Sequence, residues 1–372
     1  MIKQPLKHYS LLNILSKNAQ YNIIFGERSN GKTFAVIEYC IDEYLKSRKH
    51  HAFAIIRRWD EDLRGSNGLR VFDNFIHNEE RGNIIESKTK GKYNSVKYQS
   101  RMWWLQHVNE DGEVDLIEQE PIAYALAISM AEHYKSSAYP RVMNILFDEF
   151  ITRDNYIADE FVEFSNVLST IIRNRDNVRI FMCGNTVNKY SPYFSEMGLK
   201  NVRKMNKGDI DVYEYGESGL RVAVEYSDFP SKKKKSDVYF AFDNPKLAMI
   251  TKGDWEIKSY PHKPCKFNPT NIIYFFFIIF EEDILQCEVV NVKDMMFIFI
   301  HRKTTPLKDD KTSLVYQQEY DPRPNYRRKL TKPSTEIEHK IANLFMQDKV
   351  FYQDNEIGEI VRNYIIWCNS KS

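Results

Sequence analysis

The sequence predicts an α/β protein of two domains, the first built on a mostly parallel sheet with helices on both faces. Three observations point there. Short, continuously apolar runs alternate with helical stretches in the N-terminal half, as strands buried on both faces do. The texture then changes to hairpins and strands around the breaker-rich, charged segment 230–236 (PSKKKKS). Finally, 372 residues exceed what one ordinary core holds and suffice for two.

Taken in order, residues 21–25 (YNIIF) read as a strand ending at a glycine. Residues 33–47 carry Phe34, Ile37, Ile41, Tyr44 and Leu45 at helical spacing. Residues 52–56 (AFAII) are a second buried strand, and 69–76 read as helix. Two further strands, 142–147 (VMNILF) and 178–183 (VRIFMC), flank a helical segment around 161–172. Residues 212–215 and 220–226 flank Gly-Glu-Ser-Gly and read as a hairpin. A second strand-rich unit follows at 238–242, 247–250, 255–260, 272–280 and 296–300, closed by helices at 337–346 and 357–367. The expected division is 1–205, then a hairpin and basic linker at 206–237, then 238–372.

Composition narrows the function. With 42% hydrophobic residues, 23 Tyr and 23 Phe, the chain is not disordered. A balance of 53 basic and 51 acidic residues gives +2, so attraction to nucleic acid must come from local patches. The five scattered cysteines form no CxxC pair, which argues against a disulfide framework or structural zinc and for a reducing compartment. The N-terminus lacks the apolar core of a secretory signal. The greasiest run, 272–280, has nine residues where a spanning helix needs ~20, so it reads as a doubly buried strand. A soluble, intracellular protein is expected.

Gly26-Glu27-Arg28-Ser29-Asn30-Gly31-Lys32-Thr33 matches the phosphate-loop pattern G-x-x-x-x-G-K-[ST] between an apolar strand and a helix. Its glycines let backbone N–H groups wrap a phosphate chain, and the helix N-terminus faces the same anion. Lys32 is expected on the β- and γ-phosphates of ATP and the Thr33 hydroxyl on Mg²⁺. Asp148 and Glu149 end the strand VMNILF. An aspartate there would hold the Mg²⁺ hydration shell, and the glutamate would orient or deprotonate the attacking water. Asn185, after the strand VRIFMC, is expected to sense the γ-phosphate. Arg28 would stabilise developing charge in cis, and Arg173 or Arg175 would reach a neighbouring subunit's site.

Together these residues resemble the DNA-packaging ATPases of double-stranded DNA phages, related to large terminases. Four stretches carry the resemblance, in order over residues 20–190. They are Gly26 to Thr33 with its arginine four before the lysine, AFAII-Arg57-Arg58-Trp59 leading toward Phe72-Asp73-Asn74-Phe75, ILF-Asp148-Glu149-Phe150, and FMC-Gly184-Asn185-Thr186. The modest length resembles the compact motors of small podophages. The resemblance implies an ASCE-type, RecA-like P-loop ATPase domain joined to a small RNase H-like domain. It implies a homomeric ring, typically a pentamer, on the portal (connector) of a preformed procapsid in the host cytoplasm, with a packaging RNA as a further partner. Asp243 and the Glu281-Glu282-Asp283 run resemble parts of a nuclease site that lacks a third acid, so a vestigial nuclease is expected. Lys88, Lys90, Lys92, Lys97 and Arg101, interleaved with Tyr93 and Tyr98, are the expected double-stranded DNA contacts, with 232–235 and 323–332 as alternatives. The rival readings are a P-loop helicase, a terminase with an active nuclease, and a nucleotide-binding structural protein without turnover.

Overall fold

The computed structural model describes residues 9–153, 156–229, 258–293, 295–307 and 312–369. It divides into two units, Met1–Trp255 and Glu256–Ser372.

In the first unit the continuous apolar runs become parallel strands. After a short helix α1 (Leu12–Leu15) come β1 (Tyr21–Gly26), α2 (Lys32–Lys46) and β2 (Ala52–Arg57). Three short helices follow: α3 (Ser66–Arg70), α4 (Asp73–Ile76) and α5 (Ile84–Thr89). The stretch expected as a single helix at 69–76 is thus two helices separated at Val71 and Phe72. Next come β3 (Ser95–Gln99), β4 (Met102–Val108), β5 (Val114–Ile117), β6 (Ala123–Ala127) and β7 (Val142–Asp148). The unit continues through α6 (Glu160–Ile172), β8 (Arg179–Asn185), α7 (Pro192–Glu196), β9 (Ile210–Tyr215) and β10 (Leu220–Ser227).

These strands form one sheet in the order β3-β4-β6-β2-β7-β8-β1-β10-β9, with β5 paired to β4. The central run from β6 to β10 is parallel throughout. Alternating residues of each strand enter different cores. Ile23 and Phe25 pack with Phe147, Phe164 and Tyr193, whereas Ile24 packs with Val36, Ile37 and Phe181. The sheet is therefore covered on both faces, as the apolar runs predicted.

One boundary differs from the sequence reading. The hairpin at 210–227, expected to follow the first domain, instead completes its sheet, because β10 lies parallel beside β1 along all of β1. Its residues Val222, Ala223 and Val224 are buried, and that burial fixes it to the first unit. The basic run 232–235, the strands expected at 238–250 and Asp243 lie outside the described residues.

The second unit has β11 (Ile272–Phe280), β12 (Asp283–Val292), β13 (Met295–Arg302), β14 (Val315–Gln317), β15 (Tyr326–Arg327), α8 (Glu336–Met346), β16 (Val350–Tyr352) and α9 (Asn355–Asn369). Its sheet runs β15-β14-β11-β12-β13-β16. Strands β11 to β13 form an antiparallel meander, and β14 and β15 continue in parallel beyond β11. The strand expected to open an RNase H-like unit, 238–243, is not among the described residues, so the described part of the sheet begins at β11. Strand β11 is not doubly buried: Phe276 and Ile278 are buried while Ile273 and Phe275 are exposed. Among the described residues no helix is long and apolar enough to cross a membrane.

Candidate phosphate-loop site

Parallel strands bring their carboxyl ends to one edge, and that edge is where open α/β sheets place ligands. Here the register sets Gly26 level with Asn185 and Asp148 level with Cys183. Motifs far apart in sequence therefore meet because β8 lies between β1 and β7. They line a cleft of about 430 Å³ bounded by Arg28 to Phe34, Asp148, Glu149 and Gly184–Asn185 on one side and by Val71, Asn74 and Phe75 on the other.

The loop between β1 and α2 takes its shape from left-handed backbone at Ser29 (φ 61°) and Gly31 (φ 92°). Gly26 is needed for a second reason, since a Cβ there would sit 2.9 Å from the Ser227 carbonyl oxygen of β10. Helix α2 begins at Lys32, whose N–H donates to Asn30 Oδ1 at 3.4 Å; its N-cap Gly31 supplies no side-chain cap, so the following N–H groups can meet an anion. The Lys32 ammonium is buried. It donates to the Glu27 carbonyl at 2.7 Å and to Asn30 Oδ1 at 2.9 Å, and lies 3.5 Å from Asn185 Oδ1. The Thr33 hydroxyl donates to Asp148 Oδ1 at 2.6 Å. A hydroxyl and a carboxylate held side by side are hard oxygen donors of the kind Mg²⁺ prefers, with the remaining positions left for phosphate and water. Among the described residues no cluster of three or more His, Cys, Asp or Glu residues forms a metal cage.

Sequence reasoning missed one participant. Arg57, the last residue of β2, bridges both acids: its guanidinium is 2.7 Å from Asp148 Oδ2 and 2.8 Å from Glu149 Oε2. The arginine was visible as part of a motif, but its contacts depend on β2 pairing directly with β7. Glu149 itself has φ 60°, a left-handed conformation costly for a non-glycine residue, and its side chain is 62% exposed toward the cleft. Gly184 is required beneath it, because a Cβ there would come within 2.9 Å of Phe150 and Ile151.

Burial pushes the Lys32 ammonium down to about 8, only partly offset by Asp148 and Glu27. Phosphate oxygens would restore its proton, so above about 8 a nucleotide complex holds more protons than the free protein. Affinity should then fall as pH rises, by about tenfold per unit, with net proton uptake. Calorimetric titration of nucleotide at about pH 9 in buffers of different ionisation enthalpy checks this.

Other expected residues fall elsewhere. Arg28 is exposed on the loop and lines the cleft. Arg173 and Arg175 follow the C-terminal end of α6 and are not among the residues lining it. Arg175 is taken up by main-chain carbonyls of Tyr139, Pro140, Val142, Ile171 and Ile172. Arg173 is exposed and donates to the Ser137 carbonyl.

In the expected DNA-binding segment the basic residues are exposed or half-buried, and several are engaged within the fold. Lys88 pairs with Glu38 and Asp42, Arg101 pairs with Asp60, and Lys92 lies over the Tyr93 ring. Tyr93 and Trp103 are buried core residues, and the Tyr98 hydroxyl donates to the Leu63 carbonyl. Lys90 is exposed and Lys97 half-buried. The faces of Tyr93 and Trp103 are thus taken up by the core, whereas Tyr98 is half-buried. In the alternative segment Arg323 pairs with Asp321 and Arg327 with Glu338.

Comparison with known proteins agrees with this architecture. The family model of podovirus DNA encapsidation proteins (Gp16) matches residues 4–254. The DNA packaging proteins of Bacillus phages PZA and phi29 are each 27% identical over 231 residues, covering 61% of this chain and 59% of theirs. The match thus spans less than two thirds of those relatives. The solved Phi-28 gp11 DNA packaging motor shares the fold over 98% of this chain and 99% of its own, with a TM-score of 0.53 at 16% identity.

Proposed function

This chain belongs to the podovirus DNA encapsidation protein family, and from that premise we propose that it is the ATP-driven motor that moves viral double-stranded DNA into a preformed procapsid. The observation that carries the reading is the meeting of Lys32, Thr33, Asp148, Glu149 and Asn185 in one cleft.

The loop from Gly26 to Gly31 and the start of α2 wrap the phosphates. Lys32 exchanges the Glu27 carbonyl and Asn30 for the β- and γ-phosphate oxygens. Thr33 and Asp148 are the residues that would hold Mg²⁺, which when bound neutralises charge on the β- and γ-oxygens. Glu149 accepts the proton of the attacking water as its oxygen bonds the γ-phosphorus, and ADP leaves with the bridging oxygen. For that, Glu149 must give up its contact with Arg57. Arg28 stabilises the transferring phosphoryl group in cis. Asn185, already near Lys32, reports loss of the γ-phosphate.

The working form is a homomeric ring, taken as a pentamer, transiently bound to the portal (connector) in the host cytoplasm with a packaging RNA beside it. Helix α6 has 13 residues, about 20 Å, between Glu160 and the arginines after it, which supports action on a neighbouring site rather than their own. Arg173, the exposed one, is the better finger. Mixing Arg173→Ala with Glu149→Gln subunits should restore part of the hydrolysis that each lacks alone; no cross-rescue would sink the trans role. The second unit grips nucleic acid without cutting it. In support, Asp283, one of the acids resembling a nuclease site, is paired with Arg302.

The test is phosphate release with and without double-stranded DNA and empty procapsids. DNA-stimulated release and capsid filling are expected. Strand displacement would instead mark a helicase, plasmid cleavage with Mn²⁺ an active nuclease, and no turnover a structural protein.

A further inference from the structure

Outside the phosphate cleft the first unit buries a second ion pair. Arg58, directly after β2, is 6% exposed, and Glu160, the first residue of α6, is 3% exposed. Arg58 Nε and Nη2 lie 2.7 and 2.8 Å from the two Glu160 oxygens. Its other contacts go to the main chain beside the hydrolytic acid: Nη1 donates to the Glu149 carbonyl at 3.2 Å, and Nη2 to the Phe150 carbonyl at 2.8 Å. The Tyr156 ring lies 4.9 Å from the guanidinium carbon. Glu160 also accepts the Tyr193 hydroxyl at 2.9 Å and the Ile157 N–H at 2.8 Å.

Burying two charges is a poor way to stabilise a core, because apolar residues of similar volume often do as well. A different need is visible next door. Glu149 holds its left-handed backbone, and such a conformation persists only where the surroundings over-determine it. Arg58 takes the carbonyl of that residue and of the next one, while Glu160 fixes Arg58. The rigid fork is what lets one side chain serve two carbonyls and a carboxylate at once, which a lysine cannot do.

We infer that Arg58 and Glu160 are a positioning pair that locks the backbone turn at Glu149 and so aims its carboxylate at the attacking water. The pair lines neither the loop nor the cleft and acts only through Glu149. The inference rests on the reading of Glu149 as the hydrolytic acid.

The test uses the full chain carrying Arg58→Lys, and separately the double substitution Arg58→Met with Glu160→Met. Four quantities are measured: kcat and KM of DNA-stimulated hydrolysis, ATPγS affinity, and the melting midpoint. A misaimed group costs on the order of 10²-fold in rate, so kcat should fall by about that factor in both. KM and ATPγS affinity should stay within about threefold, since the phosphate loop is untouched. A purely structural pair would instead lower the midpoint and spare the kcat of the folded fraction. A variant that melts cooperatively, binds ATPγS normally and keeps kcat within about threefold overturns the inference. So does failure of both variants to fold, which would make the pair a stability element. Wild type and Glu149→Gln run alongside. If wild type does not hydrolyse ATP, or Glu149→Gln matches it, the reading of Glu149 fails rather than the pair.

Discussion

Replacing Glu149 with glutamine should lower DNA-stimulated ATP hydrolysis by about 10³-fold, since a positioned general base contributes on the order of 10²–10⁴. The substitution keeps the shape of the side chain and removes its ability to take a proton. Nucleotide binding should survive, because no phosphate-loop residue hydrogen-bonds Glu149 and its side chain is well exposed. Arg57 would lose one of two carboxylates and keep Asp148, so the fold should tolerate the change. Single-turnover phosphate release, read beside ATPγS affinity, separates the two effects. Hydrolysis within a few-fold of wild type would assign the chemistry to another group.

Lys32→Ala should act at the other step. A hydrogen bond to a charged group contributes about 1.5–3 kcal/mol, and losing the buried Lys32 ammonium from the cleft should weaken nucleotide binding by about 10²-fold. The free protein should be no less stable for it. Burial holds the Lys32 pKa down at about 8, so at neutral pH the fold pays on the order of 3 kcal/mol to keep that proton. The sign follows from linkage: the unfolded chain binds the proton more tightly until pH exceeds the unfolded value. Removing the ammonium relieves that cost, so melting of the nucleotide-free variant should match or exceed wild type. A variant that unfolds on its own would show Lys32 to be a structural residue.

The parallel centre of the fold was legible because β1, β2, β7 and β8 are unbroken apolar runs, and such runs have few other uses in a chain with this many charges. Helices α2 and α6 showed their 3.6-residue period for the same reason. The strands β3 to β6 were hidden. Residues 88–103 read as a basic and aromatic patch, yet Tyr93 and Trp103 are core residues, and the alanine-rich β6 has no strong strand propensity of its own. Its place beside β2 is set by packing. Likewise the hairpin of β9 and β10 was seen as local structure, while its parallel pairing with β1 is a contact across 201 residues, as between Tyr21 and Val222.

The site divides in the same way. Lys32, Thr33, Asp148, Glu149 and Asn185 could be read from motifs because phosphate chemistry restricts both residue type and spacing. Arg57 and Arg58 were visible as letters, but their roles come from which strand lies next to which. Their partners Asp148 and Glu160 are 91 and 102 residues away, and no local pattern announces the pairing.

A structure of the full chain with Mg²⁺ and ATPγS examines the account at its centre. The β- and γ-phosphates should lie at the start of α2, with the metal between Thr33 and Asp148 and the Glu149 carboxylate released from Arg57 toward the γ-phosphate. Nucleotide bound elsewhere on the molecule, or phosphates in the cleft with Glu149 still tied to Arg57 and turned from the γ-phosphorus, would contradict it.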